Sequence, residues 1–303
     1  MTLTSIFNLI LALTLAPLLP GIVNRTKAVF AGRHGQPLLQ LYYDLFKLFG
    51  KGAVYSRTTT WVFRAGPLIG FAAVVTALLF IPLGGIPGLM AFPGDLIVFA
   101  YLFGLMRFFT VAAALDTGSS FEGMGASREV MFSTIAEPAL LLGLVALACE
   151  TKSLSLSAMY SAVSPDTWQT CGPALAMVTA ALFIVFLSEN SRIPVDDPNT
   201  HLELTMIHEV MVLDHGGPDL GFILYGSALK FWALGSLITG IVIPVRTSLP
   251  LLNSAAALVG LFILAVAVGV VESIMARLRL KRVPQLLVAA SAFSILALVL
   301  ILR

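Results

Sequence analysis

Long apolar runs separated by short polar connections fill the chain from end to end. A helix that crosses a bilayer needs about 20 mainly apolar residues. A window of that length finds eight runs, over 3–23, 65–88, 95–115, 129–150, 170–190, 221–245, 250–276 and 284–302. The pattern predicts an all-α polytopic membrane bundle of about eight transmembrane helices, a single integral membrane domain over 1–303. The first run has no basic residue before it and no small-residue cleavage pattern at its end, so it reads as a retained span rather than a signal peptide.

One polar connection has a pattern of its own. From Pro37 to Lys51 the spacing is helical: Leu38, Leu41, Tyr42, Leu45, Leu48 and Phe49 form an apolar stripe, and Gln40, Asp44, Lys47 and Lys51 line the other face. This predicts an amphipathic interfacial helix, which can rest on lipid or dock a soluble partner. Arg33, Asp44, Lys47 and Lys51 are its candidate docking residues, joined by Arg277 and Arg279 from a later basic loop.

Composition excludes a soluble enzyme. Apolar residues make up 58% and charged residues 11%, with a mean hydropathy of +0.96; an ordinary soluble domain is roughly 25% charged. No polar stretch is long enough to build a separate catalytic domain. The net charge of +2 matters less than where the charges lie. Arg25, Lys27, Arg33, Lys47, Lys51, Arg57 and Arg64 follow the first span, Arg128 and Arg192 follow the third and fifth, and Arg277, Arg279, Lys281 and Arg282 follow the seventh. Only Lys152, Arg246 and Arg303 fall on the other side. The positive-inside rule then places these loops in the cytoplasm and both termini on the outer side of the inner (cytoplasmic) membrane. Cys149 and Cys171 flank a short outer loop; they would pair only in an oxidising compartment, and core thiols are the plainer reading. Two cysteines cannot ligate a [4Fe-4S] cluster alone.

Ionisable residues inside apolar spans are strongly disfavoured unless paired or hydrated, so they mark function. Arg107, Asp116, Glu137, Glu150, Glu189, Lys230 and Glu272 lie in or at the ends of spans. Glu129 and Glu137 are about two helical turns apart and share a face, which suits steps of a proton path. Pro138 frees a backbone carbonyl one turn earlier, to be hydrated or met by a neighbouring helix. A purely structural pairing of Glu137 with Arg107 or Lys230 is the rival reading, but one such pair would not need so many carboxylates.

The loop SENSRIPVDDPNTHLELTMIHEVMVLDHGGPD is acidic for the basic side of a membrane, with Glu189, Asp196, Asp197, Glu203, Glu209, Asp214 and Asp219. Its stretch from Leu202 to Val212 can form a helix that turns Glu203 and Glu209 inward or toward a partner. His201, His208 and His215 recur every seven residues, whereas metal pairs on helices sit at i and i+4. Hydrogen-bonded histidines are the first reading and a proton relay the second. No Ser/His/Asp order or phosphate-cradling loop occurs, and the basic residues lack the aromatic platform that nucleic acid binding uses.

Four segments in order, GRHGQPLLQLYYDLFKLFGK at 32–51, LDTGSSFEGMGASREVMFSTIAEP at 115–138, SRIPVDDPNTHLELTMIHEVMVLDHGGPD at 191–219 and ESIMARLRL at 272–280, resemble the complex I subunit 1 family. The resemblance is to its branch containing formate hydrogenlyase subunit 4 and the matching subunits of energy-converting nickel-iron hydrogenases. It implies a hinge between a peripheral electron-transfer arm and antiporter-like membrane subunits, with buried acids forming a funnel between them. By resemblance, Glu137 matches the acid after the GASRE-type loop, Asp196 the acid after the R-x-P motif, and Glu203 an acid of the same loop. Val195, Asn199 and His201 depart from the quinone-reducing members and favour the hydrogenase branch over a quinone-binding subunit.

The expectation is thus a non-catalytic, ion-coupling membrane subunit of a redox complex. It implies hydrogenase-like large and small soluble subunits holding a nickel-iron centre and iron-sulfur clusters, with no cofactor on this chain alone. The proton-path candidates are Glu129, Glu137, Glu189, Asp196, Glu203 and Glu209; their charge partners are Arg107, Arg128, Arg192 and Lys230. A transporter acting alone and a passive membrane anchor are the rivals.

Overall fold

The computed structural model describes residues 3–197, 206–244, 247 and 249–303. It is an all-α bundle of eleven helices among the described residues: α1 (Leu3–Leu15), α2 (Leu18–Phe30), α3 (Gln40–Phe49), α4 (Trp61–Leu78), α5 (Asp95–Asp116), α6 (Ser120–Thr151), α7 (Leu156–Ala162), α8 (Pro165–Glu189), α9 (Gly217–Val242), α10 (Pro250–Ile274) and α11 (Val283–Leu302). Seven are long and apolar enough to cross a membrane, and α1 with α2 make an eighth, bent crossing. The chain is a multi-pass membrane protein.

α9 lies at the centre: 72% of its apolar window is buried, against 22% for α5 and for the segment that includes α11. Trp232, Phe231 and Leu229 of α9 pack with Phe186 and Leu175 of α8 and Leu144 and Leu147 of α6. Around this centre α4 runs along α5 and α9, α2 along α10, and α11 along α6 and α8. Apart from the first, the expected spans match α4 to α6 and α8 to α11, with shifted ends; α6 begins nine residues before the expected 129. The expected amphipathic helix is α3, whose buried Leu45 faces α9 while Tyr43 and Phe46 stay exposed.

The first span is not one straight helix as expected. It bends by 46° between Leu15 and Leu18. Pro17 has no N–H and cannot donate to the carbonyl of Leu13. Two tyrosines supply the missing donors: the Tyr225 hydroxyl donates to Leu13 O at 2.7 Å, and the Tyr42 hydroxyl donates to Thr14 O. The break is thereby tied to α9 and α3.

One further expectation changes. The described part of the 202–212 segment is not an α-helix, since only Glu209–Val212 forms a short 3-10 turn. Its preceding N–H groups instead meet Asp196, whose Oδ2 accepts from Ile207 N and His208 N, each at 3.2 Å. Cys149 and Cys171 are free thiols, and Cys171 Sγ donates to Glu150 Oε2 at 3.4 Å. On the face opposite the basic loops, Asp95 is fully buried; it accepts from Ser155 Oγ at 2.9 Å and from Leu156 N at 2.6 Å, which pins α7 to the start of α5.

Candidate functional site

Five elements meet near the basic face. α5 brings Arg107, α6 brings Glu129 and Glu137, α8 ends at Glu189, α9 brings Lys230, and the 190–216 connection brings Asp196 and His208. The connection sits hard on α6 because residue 125 is glycine. A Cβ there would lie 2.3 Å from Val210 Cγ1 and 2.9 Å from Ile207 O. This close approach, one turn before Glu129, is what brings His208 to its carboxylate.

Arg107 is the hub. Its Nε meets Glu129 Oε1 at 3.3 Å, its Nη2 meets Glu189 Oε1 at 2.6 Å, and its Nη1 pairs with Glu137. Lys230 Nζ reaches the other oxygen of Glu189 at 3.4 Å. The other oxygen of Glu129 faces His208 Nε2 at 3.0 Å, and His208 Nδ1 faces Asp196 Oδ2 at 3.6 Å. Arg277 Nη2 closes the series on Asp196 Oδ1 at 2.8 Å. An unbroken line of ionisable groups therefore runs from Arg277 and Asp196, through His208 and Glu129, to Arg107, where it forks to Glu189 with Lys230 and to Glu137.

The fork has unequal arms. The side chain of Glu189 is 7% exposed and that of Glu137 47%, so one branch ends inside the bundle and the other opens sideways between α5 and α6. Charges balance across the hub: Arg107, Lys230 and cationic His208 face Glu129, Glu137 and Glu189. Burial disfavours the His208 cation, but the Glu129 and Asp196 carboxylates outweigh it and raise its pKa to about 9. Asp196 is buried too, yet His208 and then Arg277 hold its carboxyl below the usual range. Neither nitrogen of His208 meets hydrogen-bond geometry with its carboxylate, so charge is the main coupling.

A second ion cluster lies behind the first. Glu272 of α10 is fully buried; it meets Lys27 of α2 at 2.8 Å and Arg192 at 3.5 Å. α10 and α2 touch because Gly269 leaves room, its would-be Cβ lying 2.6 Å from Thr26 Cβ. Sequence reasoning noted Glu272 but left it and Lys27 out of the site. Arg192, expected beside the proton-path acids, pairs with Glu272 instead and stacks over Phe231 at 5.6 Å. Arg128 donates to the Met206 carbonyl at 2.8 Å, which anchors the connection to α6.

A cavity of about 350 Å³ abuts both clusters. Glu189, Arg192, His208 and Lys230 line its charged part, and Phe71, Met106 and Phe222 are among its apolar walls. Glu209 also lines it. His215 also faces it, stacked on Phe63 with centroids 3.9 Å apart. Burial lowers His215 to about 4, so it is neutral at pH 7. Of the three histidines spaced by seven, His208 stands between two carboxylates and His215 stacks on an aromatic ring instead; His201 and Glu203 lie outside the described residues. Of the docking candidates, Arg33, Lys47, Lys51 and Arg279 are exposed, Asp44 accepts from Gln40 Nε2 at 3.0 Å, and Arg277 is drawn inward to Asp196. Glu122, which the sequence reading did not single out, is 1% exposed and accepts from Asp214 N at 3.1 Å.

A polytopic helical bundle threaded by a line of buried acids and bases is a membrane protein with charge at its centre. Its family is the NADH dehydrogenase family, to which the chain belongs: the family's model matches residues 3–302. The chain is 33% identical over 306 residues to formate hydrogenlyase subunit 4 of Escherichia coli (strain K12), covering 98% of each. It is 31% identical over 235 residues to hydrogenase-4 component C of the same organism, covering 78% of this chain and 73% of the relative. A chain in the structure of the membrane-bound sulfane sulfur reductase, an archaeal respiratory membrane complex, shares the fold with a TM-score of 0.81 at 24% identity, covering 97% of this chain and 98% of that one.

Proposed function

We propose that this chain is the membrane subunit of a hydrogenase-like or complex I-like redox complex, and that it couples electron transfer in soluble partners to ion movement. The observation that carries the reading is the continuous line from Asp196 through His208 and Glu129 to the Arg107 fork. The kinship with a formate hydrogenlyase subunit and a hydrogenase-4 component supports hydrogenase-like large and small subunits as partners, holding the nickel-iron centre and iron-sulfur clusters. Antiporter-like membrane subunits complete the assembly. The concentration of exposed basic residues on the face with α3 and the 275–282 connection supports a cytoplasmic placement of that face, with both termini outside the inner membrane.

The transferable proton belongs to His208. Its Nδ1 faces Asp196 and its Nε2 faces Glu129, so the imidazolium can release a proton to Glu129 and regain one from the Asp196 side. Arg107 does not deprotonate; it works as a shared counterion. A proton on Glu129 weakens one of its three contacts and shifts the guanidinium toward Glu189 and Glu137. Charge change in a docked redox partner near Asp196 and Arg277 thus alters which hub carboxylate is protonated.

The test uses the assembled complex in membrane vesicles. Glu137→Gln is expected to abolish or uncouple ion translocation while the soluble redox reaction with an artificial dye continues. Unchanged translocation would leave the chain a passive anchor.

A further inference from the structure

Glu272 and Lys27 have no place in the line from Asp196 to the Arg107 fork, yet they set charge deep between α10 and α2. The side chain of Glu272 is fully buried, and two cations share it: Lys27 Nζ at 2.8 Å and Arg192 Nη1 at 3.5 Å. Lys27 sits at contact distance, whereas Arg192 is held loosely. The three groups together carry one surplus positive charge.

Little else holds the side chain of Arg192. Its Nε is buried without a hydrogen-bond partner, and its guanidinium lies over the Phe231 ring at 5.6 Å, a modest attraction. Its backbone, by contrast, is fixed. Arg192 N donates to Leu187 O at 2.8 Å, and its carbonyl accepts from Val195 N at 2.9 Å. Leu278 N, in the loop after α10, donates to Pro194 O at 2.9 Å. The movable part is the side chain, and it stands in the wall of the cavity of about 350 Å³ that Glu189, Glu209, His208 and Lys230 also line. Once freed from Glu272, the guanidinium is drawn toward Glu189, which lies three residues earlier in the chain and already meets Arg107 and Lys230. A third cation there keeps that carboxylate charged and closes the inner arm of the fork to a proton.

We propose that Glu272 is a positioning residue for coupling: it holds Arg192 out of the cavity and so leaves Glu189 open to protons from the hub. Lys27 is dispensable to this role, because Arg192 alone balances the charge of Glu272. A plain staple between α2 and α10 is the alternative, and it makes a different forecast, since both ends of a staple matter equally. The proposal rests on the reading of the chain as a coupling subunit. It adds a residue of α10 that acts on the hub from outside its line.

The experiment uses the whole complex in inverted vesicles and reads ions moved per electron transferred, with dye-linked electron transfer as the control. Lys27→Met and Glu272→Gln each break the same 2.8 Å bridge. Lys27→Met is expected to keep the wild-type ratio, and Glu272→Gln to lower it about tenfold, the effect of one added charge contact on a carboxylate. Adding Arg192→Gln to Glu272→Gln is expected to restore most of it. Equal losses in Lys27→Met and Glu272→Gln, a wild-type ratio in Glu272→Gln, or no recovery on removing Arg192 would overturn the proposal. If Glu272→Gln alone does not assemble, the neutral pair Lys27→Gln with Glu272→Gln replaces it, with and without Arg192→Gln, under the same expectations. Glu129→Gln in the same vesicles separates the two readings. A ratio kept there removes the coupling role and this proposal with it, whereas a ratio lost there but kept in Glu272→Gln overturns this proposal alone.

Discussion

Replacing Arg107 with methionine removes the one cation that touches Glu129, Glu137 and Glu189 together. The wild-type hub is neutral when His208 and Lys230 are charged; the variant carries one surplus negative charge. Breaking a buried ion pair from one side costs about 3–5 kcal/mol. The protein can relieve that charge by binding a proton within the hub, so the expected loss at pH 7 is on the order of 4 kcal/mol. It should shrink by about 1.4 kcal/mol for each pH unit toward 5, because protons become easier to bind. Arg107→Met combined with Glu189→Gln restores neutrality and should recover most of the loss. Unfolding of the purified chain in nanodiscs, followed at pH 5, 7 and 8, measures this directly. A loss independent of pH, or a double variant no more stable than the single one, would show that the hub is not held by charge balance.

Other perturbations separate the parts of the account. Because the folded pKa of His208 is raised to about 9 from 6.5, its stabilisation is complete below pH 6.5 and is lost as pH climbs toward 9. His208→Gln should flatten that alkaline limb in a melting-temperature profile. His215 has the opposite sign: lowered to about 4, it removes stability as pH falls from 6.5 toward 4, and His215→Phe should flatten the acid limb. Gly125→Ala forces a Cβ into Val210 and should cost about 1–3 kcal/mol in denaturant unfolding. It should also lower ion translocation by displacing His208 from Glu129. Tyr225→Phe leaves the Leu13 carbonyl without its donor and should cost about 1–3 kcal/mol, read as a lower melting temperature, with ion pairing at the hub unchanged.

Much of the fold was legible because lipid imposes a simple rule: apolar runs long enough to cross must be helices. α5, α10 and α11 begin within two residues of the expected starts. The bend at Pro17 was invisible to the same rule, since both halves stay apolar and a window averages across the break. α7 has seven residues and falls below the window. The 206–212 stretch carries a helical pattern, but Asp196 and Gly125 supply a competing set of contacts that a periodicity cannot register.

The site divides in the same way. Glu129, Glu137, Glu189, Arg107 and Lys230 stood out because charge inside an apolar span demands a partner. Which partner was not legible, because Arg107 reaches residues 22, 30 and 82 positions away. Arg192 was assigned to the proton-path acids, yet the packing of α2 on α10 at Gly269 delivers Glu272 and Lys27 to it. Glu122 sits before the expected start of its span, where nothing in the apolar pattern marks it, yet the helix begins at Ser120 and buries it.

The central claim is that a proton on His208 reaches the Arg107 hub only through Glu129. The ratio of ions moved to electrons transferred, measured in inverted vesicles carrying the whole complex with Glu129→Gln, tests it most directly. The account predicts that the ratio falls to near zero while dye-linked electron transfer persists, and that Glu129→Asp restores part of it. A ratio equal to wild type in Glu129→Gln would contradict it.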